Sequence, residues 1–220
     1  MKQTVTPVIP GKSPFMKKHS ASIRIWHWMT FLIISFLILT VLFESTLFNS
    51  RKNSTMVQSV LKEKGVVVTE DQAWAVAHEY GDKLWDLHKF LGFGLSFLLL
   101  SRVVIEFTLS PEEKLRSKIK SSLSLYGQDT LNNDNKHYLV VKFGYALFYL
   151  LVLYMATTGL LLAFGSDLGL ERPARHLIKE FHGFGQYLMY TFVVIHLCGV
   201  IYADIKHSKG IISGMVNGGE

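Results

Sequence analysis

Cysteine is almost absent from this chain, because Cys198 is the single cysteine among 220 residues. One cysteine excludes an intramolecular disulfide, a CxxCH haem attachment and an iron-sulfur cluster held by this chain alone. Cys198 lies within a long apolar run, and we expect its role to be packing. The sequence also lacks a glycine-rich phosphate loop, an HExxH zinc motif and a Ser/His/Asp arrangement. Its chemistry is therefore expected to come from its nine histidines.

Charge is also scarce, and it is unevenly distributed. Charged residues make up 18% of the chain and hydrophobic residues 49%, and the mean hydropathy is positive. The runs 143–165 and 181–203 carry no charged residue, and each reaches the roughly 20 residues that cross about 30 Å of hydrocarbon. The runs 26–43 and 90–107 are less clean, and the second carries two charged residues near its end. Four membrane spans are indicated.

The sequence therefore predicts an all-α integral membrane protein, a four-transmembrane-helix bundle that forms a single domain over residues 1–220. The first span follows a polar tail of more than twenty residues and lacks a small-residue cleavage site, so we expect it to remain in the mature protein. The expected spans are about 25–46, 85–107, 139–164 and 180–204, separated by loops that include 47–84 and 108–138.

The distribution of lysine and arginine predicts the orientation. With four spans both termini lie on the same side, and the segments on that side carry 12 basic residues against 7 on the other. The positive-inside rule places both termini and the loop 108–138 in the cytoplasm and the loop 47–84 on the outer side of the membrane. We expect a multi-pass membrane protein. No pattern of basic and aromatic residues argues for nucleic acid.

Four histidines lie in or at the edges of the expected spans, and ionisable or metal-ligating residues at membrane depth are functional candidates by default. Two of them share the last span: His182 and His196 are 14 residues apart. That step turns a helix through roughly 1400°, about 40° short of four turns, and advances it by about 21 Å. His182 and His196 are thus expected on one face of one helix at opposite membrane depths.

Each of these histidines needs a partner at its own depth. Given the predicted topology, His27 lies near the cytoplasmic side, level with His196, and His88 lies near the outer side, level with His182. Two haem b groups, each with its iron held by one of these pairs, are the economical interpretation, because imidazole is a normal axial ligand and a helix bundle is a normal place for a cofactor. The alternative is a bundle-facing histidine bonded to a serine, a threonine or a carbonyl.

Small and basic residues extend the predicted cofactor site. Gly92, after His88, and Gly185, after His182, would clear room beside the helices for a flat macrocycle, although small residues also let helices approach closely. Arg24 lies at a span edge, where it is expected to pair with haem propionates or to serve as an interfacial anchor.

Several stretches resemble a known family. They are SIRIWHW (22–28), LHKFLGFG around His88, FHGFGQYLMYTFVVIH (181–196) and the tail ADIKHSKGIISGMVNGG (203–219). Together they resemble the b-type cytochrome subunits of membrane-bound nickel-iron uptake hydrogenases, within a wider superfamily of four-helix bacterial di-haem cytochromes b. The resemblance covers all four spans and implies a multi-pass protein of the bacterial inner membrane, with the loop 47–84 in the periplasm. It implies the same axial pairs, His27 with His196 and His88 with His182.

The resemblance also implies a function. The chain would be the redox subunit of a quinone-reducing oxidoreductase complex of the respiratory chain. It would pass electrons from a periplasmic iron-sulfur subunit, the small subunit of the hydrogenase, to a quinone. Two copies of the chain could form a homodimer within the complex. Because a reduced quinone needs titratable groups near water, Asp204, His207 and Tyr202 at the end of the last span are the quinone candidates.

Other functions stay open. The chain could be a stand-alone di-haem quinone oxidoreductase, the cytochrome b subunit of another periplasmic dehydrogenase or reductase, or a haem or metal transporter.

The loop 47–84 bears on this choice. Thr69 and Gln72 predict a capping box that opens a helix running into the second span, and a helix over 55–64 is expected to end at Gly65. We expect this helical hairpin to help dock an electron-donating subunit.

Overall fold

The computed structural model describes residues 20–109, 114, 117, 133–206 and 210–218, and all regular secondary structure within these residues is helical, without a strand. Four of its helices are long and apolar enough to cross a membrane, which confirms the predicted all-α class with four spans. The described helices are α1 (Ala21–Thr46), α2 (Ser50–Glu63), α3 (Glu70–Thr108), α4 (Asn133–Ala163), α5 (Arg172–Lys206) and α6 (Ile211–Asn217).

The spanning helices are longer than the apolar runs that indicated them. α3 begins at Glu70, well before the expected span 85–107, because the capping box at Thr69 and Gln72 is present and the helix runs on without a break. α5 likewise begins at Arg172, before the expected span 180–204. The predicted loop 108–138 lies mostly outside the described residues.

A helical hairpin, formed by α2 and the first part of α3, extends beyond the apolar core of the bundle. α2 begins five residues before the expected helix because the Asn49 side chain caps it, accepting a hydrogen bond from the backbone N–H of Lys52. It ends as predicted at Gly65, whose φ of 78° and backbone bonds form a Schellman motif. Small residues form a stripe on the side of α3 that faces α2. Gly81 is the last of them, and a Cβ added at this position would contact the side chains of Glu44 and Ser50.

The bundle core draws on all four spanning helices. α1 packs on α3, α3 on α4, and α4 on α5. Their buried apolar side chains meet in one cluster midway along the bundle: Ile34, Leu95, Leu151, Val152 and Met189. Many other large apolar side chains are exposed, as expected of helices whose outer faces contact lipid. Cys198 is among the exposed residues of α5; it follows His196 by two residues and points away from that side chain.

Candidate functional site

The membrane histidines occupy two levels, one on each side of the apolar cluster. On α5, His182, Met189 and His196 follow one another at seven-residue steps, and Met189 belongs to the cluster. Seven residues make nearly two helical turns, so the three side chains share a face, and each is about 10 Å from the next along the axis. We call His88 with His182 the His88 level, and His27 with His196 the His27 level.

The structure brings together the two histidines of the His88 level. The ring centroids of His88 on α3 and His182 on α5 are 6.5 Å apart. Each ring also contacts a threonine from a third helix: Nδ1 of His88 lies 2.7 Å from Oγ1 of Thr40, and Nδ1 of His182 lies 2.8 Å from Oγ1 of Thr158. Threonine bonds of this kind are what the alternative to ligation predicted, so their direction matters.

Both threonine hydroxyls already have an acceptor for their hydrogen. Oγ1 of Thr40 donates to the carbonyl of Leu37 at 2.7 Å, and Oγ1 of Thr158 donates to the carbonyl of Tyr154 at 2.8 Å. When each hydroxyl keeps its bond to the carbonyl, its oxygen accepts from the histidine, and the hydrogen of the neutral ring then lies on Nδ1. Nε2 is left with its lone pair, the tautomer that a metal-ligating histidine needs. The threonine bonds are therefore compatible with ligation.

The His27 level has the same spacing with different surroundings. The ring centroids of His27 on α1 and His196 on α5 are 6.4 Å apart. Phe192 stacks on the His196 ring with 6.0 Å between centroids and 7° between planes, and Trp28 meets His27 edge-on at 5.4 Å. Aromatic rings thus flank this pair, whereas at the His88 level threonine hydroxyls contact both rings and Trp85 meets His88 edge-on at 5.4 Å.

The spacing within each pair fits two imidazoles that share one metal. Imidazole nitrogens bind metals at about 2.0–2.1 Å and lie roughly 1.1 Å from the ring centre, so two axial rings on one ion have centroids about 6.3 Å apart. Each level offers two imidazoles, whereas a structural zinc ion takes four protein ligands. A haem iron has four nitrogens from its macrocycle and needs two more. The residues at both levels therefore fit bis-histidine haem.

The two glycines predicted to border a cofactor have different environments. A Cβ at Gly92 would have no neighbour within 4 Å. A Cβ at Gly185 would lie 2.5 Å from Cε1 of Tyr154 and 2.6 Å from Sδ of Met155. Gly185 is thus required for the close approach of α5 to α4, and any further contact with a cofactor stays a prediction, as it does for Gly92.

The short helix α6 docks on the start of α1, which the sequence did not indicate. Arg24 and Asp204, for which cofactor and quinone roles were predicted, both take part in holding α6. Arg24 Nη1 donates to the carbonyl of Val216 at 3.0 Å, and Trp28 Nε1 donates to the carbonyl of Met215 at 2.9 Å. At the other end of α6, the Asp204 carboxylate accepts from the backbone N–H groups of Gly210 and Ile212. These side chains hold a terminal helix in place.

The remaining quinone candidates stay predictions. Tyr202 lies on α5, two residues before Asp204, and is 57% exposed. His207 lies outside the described residues. An apolar cleft of about 300 Å³ opens near the same end of the bundle, between α1 and α6, with Arg24, Trp28 and Val216 among its lining residues.

Sequence reasoning missed one group at the His27 level. Arg102 on α3 is only 9% exposed, and its guanidinium forms an ion pair of 2.8 Å with Glu106 and donates to the Tyr149 hydroxyl at 2.9 Å. Arg102 and Glu106 are the two charged residues of the apolar run 90–107. The signal that could have assigned Arg102 to this level is its spacing, because it follows His88 by 14 residues, as His196 follows His182.

Comparison with known proteins adds one match. A sequence profile of the family described as prokaryotic cytochrome b561 matches residues 18–218, a range that contains all six helices described above. No curated protein and no solved structure matches the chain.

Proposed function

The chain belongs to the prokaryotic cytochrome b561 family, and we propose that it passes electrons from a periplasmic iron-sulfur protein to the quinone pool. Family membership together with four spanning helices makes it a multi-pass membrane b-type cytochrome of electron transfer. The observation that carries the proposal of two haems is the spacing of the two histidine pairs, with ring centroids 6.4 and 6.5 Å apart on opposite sides of one apolar layer.

Four histidines would hold two haem b groups: His27 with His196, and His88 with His182. Haem, when bound, provides reversible one-electron chemistry, and the chain provides ligands, orientation and dielectric. Thr40 and Thr158 fix the ring orientation and tautomer at the His88 level. The apolar layer between the levels keeps water out of the centre of the bundle.

The proposed orientation gives the two levels different tasks. With both termini in the cytoplasm of a bacterial inner membrane, the His88 level lies near the periplasm and the His27 level near the cytoplasm. Electrons would then enter at the His88 level and leave at the His27 level to a quinone close to the cytoplasmic surface. We place Tyr202 and His207 near that quinone, whereas the two backbone hydrogen bonds of Asp204 favour a structural role for it.

The hairpin of α2 and α3 supports a docked donor over a stand-alone enzyme. It lies outside the apolar core of the bundle, yet Val67 is 88% exposed, Tyr80 61% and Trp74 48%. Large apolar side chains that are exposed outside the membrane are candidates for contact with another protein. The occupant that we propose is the iron-sulfur subunit of a membrane-bound nickel-iron hydrogenase, because the sequence resembles the cytochrome of that complex.

Deletion of residues 54–68 tests this docking. It removes most of α2 but leaves the capping box at Thr69 and both histidine levels intact. We expect the variant to keep its haem spectrum and to lose co-purification with the iron-sulfur subunit. The point variant Val67→Asp should weaken co-purification in the same way, because it puts a charge at the most exposed apolar position of the hairpin, and Val67→Ala is its control.

Unchanged co-purification in both the deletion and Val67→Asp would refute the docking proposal. Purification of the wild-type chain as a lone, active homodimer would favour the stand-alone quinone oxidoreductase. Capture of a different periplasmic dehydrogenase or reductase would keep the electron-transfer role and change the donor.

A further inference from the structure

Arg102 occupies on α3 the position that His196 occupies on α5. His88, Leu95 and Arg102 follow one another at seven-residue steps, and Leu95 packs in the same apolar cluster as Met189. Since seven residues make nearly two turns, Arg102 shares the inward face of α3 with His88 and lies about 21 Å further along the axis. It therefore lies at the His27 level.

The contacts of Arg102 fix it beside that level. Its Nε donates to the hydroxyl of Tyr149 on α4 at 2.9 Å. The Tyr149 ring packs against the Trp26 ring with 5.8 Å between centroids, and Trp26 directly precedes His27. Trp26 Nε1 in turn donates to the carbonyl of Leu98, one turn before Arg102, at 2.7 Å. These contacts join α1, α3 and α4 around a buried guanidinium.

The countercharge lies nearer the surface than the cation. Glu106 follows Arg102 by four residues, which is about 6 Å further toward the end of α3. The Arg102 side chain is 10% exposed and that of Glu106 27%. The positive end of the ion pair therefore points into the bundle. The His88 level differs in this respect, because the side chains bonded to its histidines are the neutral hydroxyls of Thr40 and Thr158.

We propose that Arg102 raises the electron affinity of the His27 level above that of the His88 level, and that Glu106 limits this effect. The inference rests on the proposed function, in which both levels hold haem. A cation favours the reduced state of a nearby redox centre, and a carboxylate favours the oxidised state. An electron shared between the levels would then reside preferentially at the His27 level, on the side of the quinone.

The expected size follows from Coulomb's law. Neighbouring helices are about 8–10 Å apart, and a unit charge at that distance in an effective dielectric of about 20 changes a one-electron equilibrium roughly 20-fold. Each tenfold change corresponds to about 59 mV for one electron, so a change of roughly 20-fold corresponds to about 77 mV. Solvent at the exposed edge of Glu106 makes the effect of this carboxylate the smaller of the two.

Redox titration of the purified full-length holoprotein, followed by its haem absorption, tests the proposal. Arg102→Gln should lower the midpoint potential of the His27-level haem by about 77 mV, the equivalent of this roughly 20-fold change, and leave the potential of the other haem unchanged. Glu106→Gln should raise the same potential, and Arg102→Lys should keep it close to the wild-type value. His196→Ala identifies the component, because it should remove that haem.

Two control variants separate charge from structure. Tyr149→Phe removes the hydrogen bond to Arg102 without changing any charge, and it should leave the potential close to that of the wild type. Lys83→Gln breaks an ion pair with Glu79 that has the same four-residue spacing on the same helix. Because both of those side chains are mostly exposed, solvent screens them and no shift is expected.

The opposite signs expected for Arg102→Gln and Glu106→Gln make the test decisive. Shifts of the same sign in both, or no shift in either, would overturn the inference. If Arg102→Gln fails to fold, Glu106→Gln decides the question, because it preserves the shape of the side chain and the inward cation. A wild-type chain without haem at either level would overturn the proposed function itself, whereas two haems with unmoved potentials would overturn this inference alone.

Discussion

Replacement of Thr158 by valine should weaken haem binding at one level and spare the other. Valine has nearly the shape of threonine, so the change removes the hydroxyl and leaves the packing of α4 in place. His182 then loses the acceptor that lies 2.8 Å from its Nδ1 and that fixes its tautomer. The ring becomes free to turn, and its buried N–H is left without this partner.

Two independent estimates agree on the size of the effect. Loss of a hydrogen-bond partner of a ligating histidine lowers metal affinity about 10- to 100-fold, which is roughly 1.4 to 2.7 kcal/mol. A buried donor left unsatisfied costs about 1–3 kcal/mol. We therefore expect the haem of the His88 level to bind about 10- to 100-fold more weakly in Thr158→Val.

The assay is transfer of haem from the purified protein to an excess of a soluble haem-binding competitor, followed by absorption. Thr191→Val is the matched control. Thr191 lies on α5 and donates to the carbonyl of Tyr187 at 2.9 Å, in the same way that Thr158 donates to its own helix, but it is exposed. The control should keep both haems.

The reasoning is wrong if Thr158→Val retains both haems as firmly as the wild type. It is also wrong if both levels lose haem equally, because the effect would then be a general loosening of the bundle. Thr40→Val provides a second test at the same level, through His88.

Two further changes separate packing from function. Gly185→Ala should lower the stability of the bundle by about 1–3 kcal/mol, because its Cβ would overlap Tyr154. Gly92→Ala is the control and should leave the unfolding of the haem-free protein unchanged. Equal unfolding temperatures of the two variants in detergent would contradict this prediction. Asp204→Ala should speed hydrogen exchange in α6 at a cost of about 1 kcal/mol without changing haem content, because it removes the acceptor of two backbone N–H groups. Slower quinone reduction with normal exchange would instead restore its predicted quinone role.

The histidine pairs were predictable because two simple quantities determine them. The 14-residue spacing of His182 and His196 sets their face and depth, and the order of spans sets which histidine lies opposite each. The helix ends of the hairpin were predictable for a similar reason, since the signals at Thr69 and Gly65 act within a few residues of the chain. The start of α2 differs from the expected residue 55 because the Asn49 side chain is a further local cap, which lets the helix begin at Ser50.

The features that were missed depend on contacts between distant segments. The bond from Thr158 to His182 joins residues 24 apart, and that from Arg24 to Val216 joins residues 192 apart. Neither follows from periodicity. Gly185 shows a different limit, because glycine beside a histidine is equally consistent with room for a cofactor and with close helix packing, and only the position of Tyr154 distinguishes them.

The most direct test of the central claim is a reduced-minus-oxidised absorption spectrum with haem quantitation. It should be recorded on the purified chain beside His182→Ala and His196→Ala. The account predicts two b-type haems per chain, with each variant losing a different one. A wild-type chain without stoichiometric haem, or two variants that lose the same haem, would contradict it.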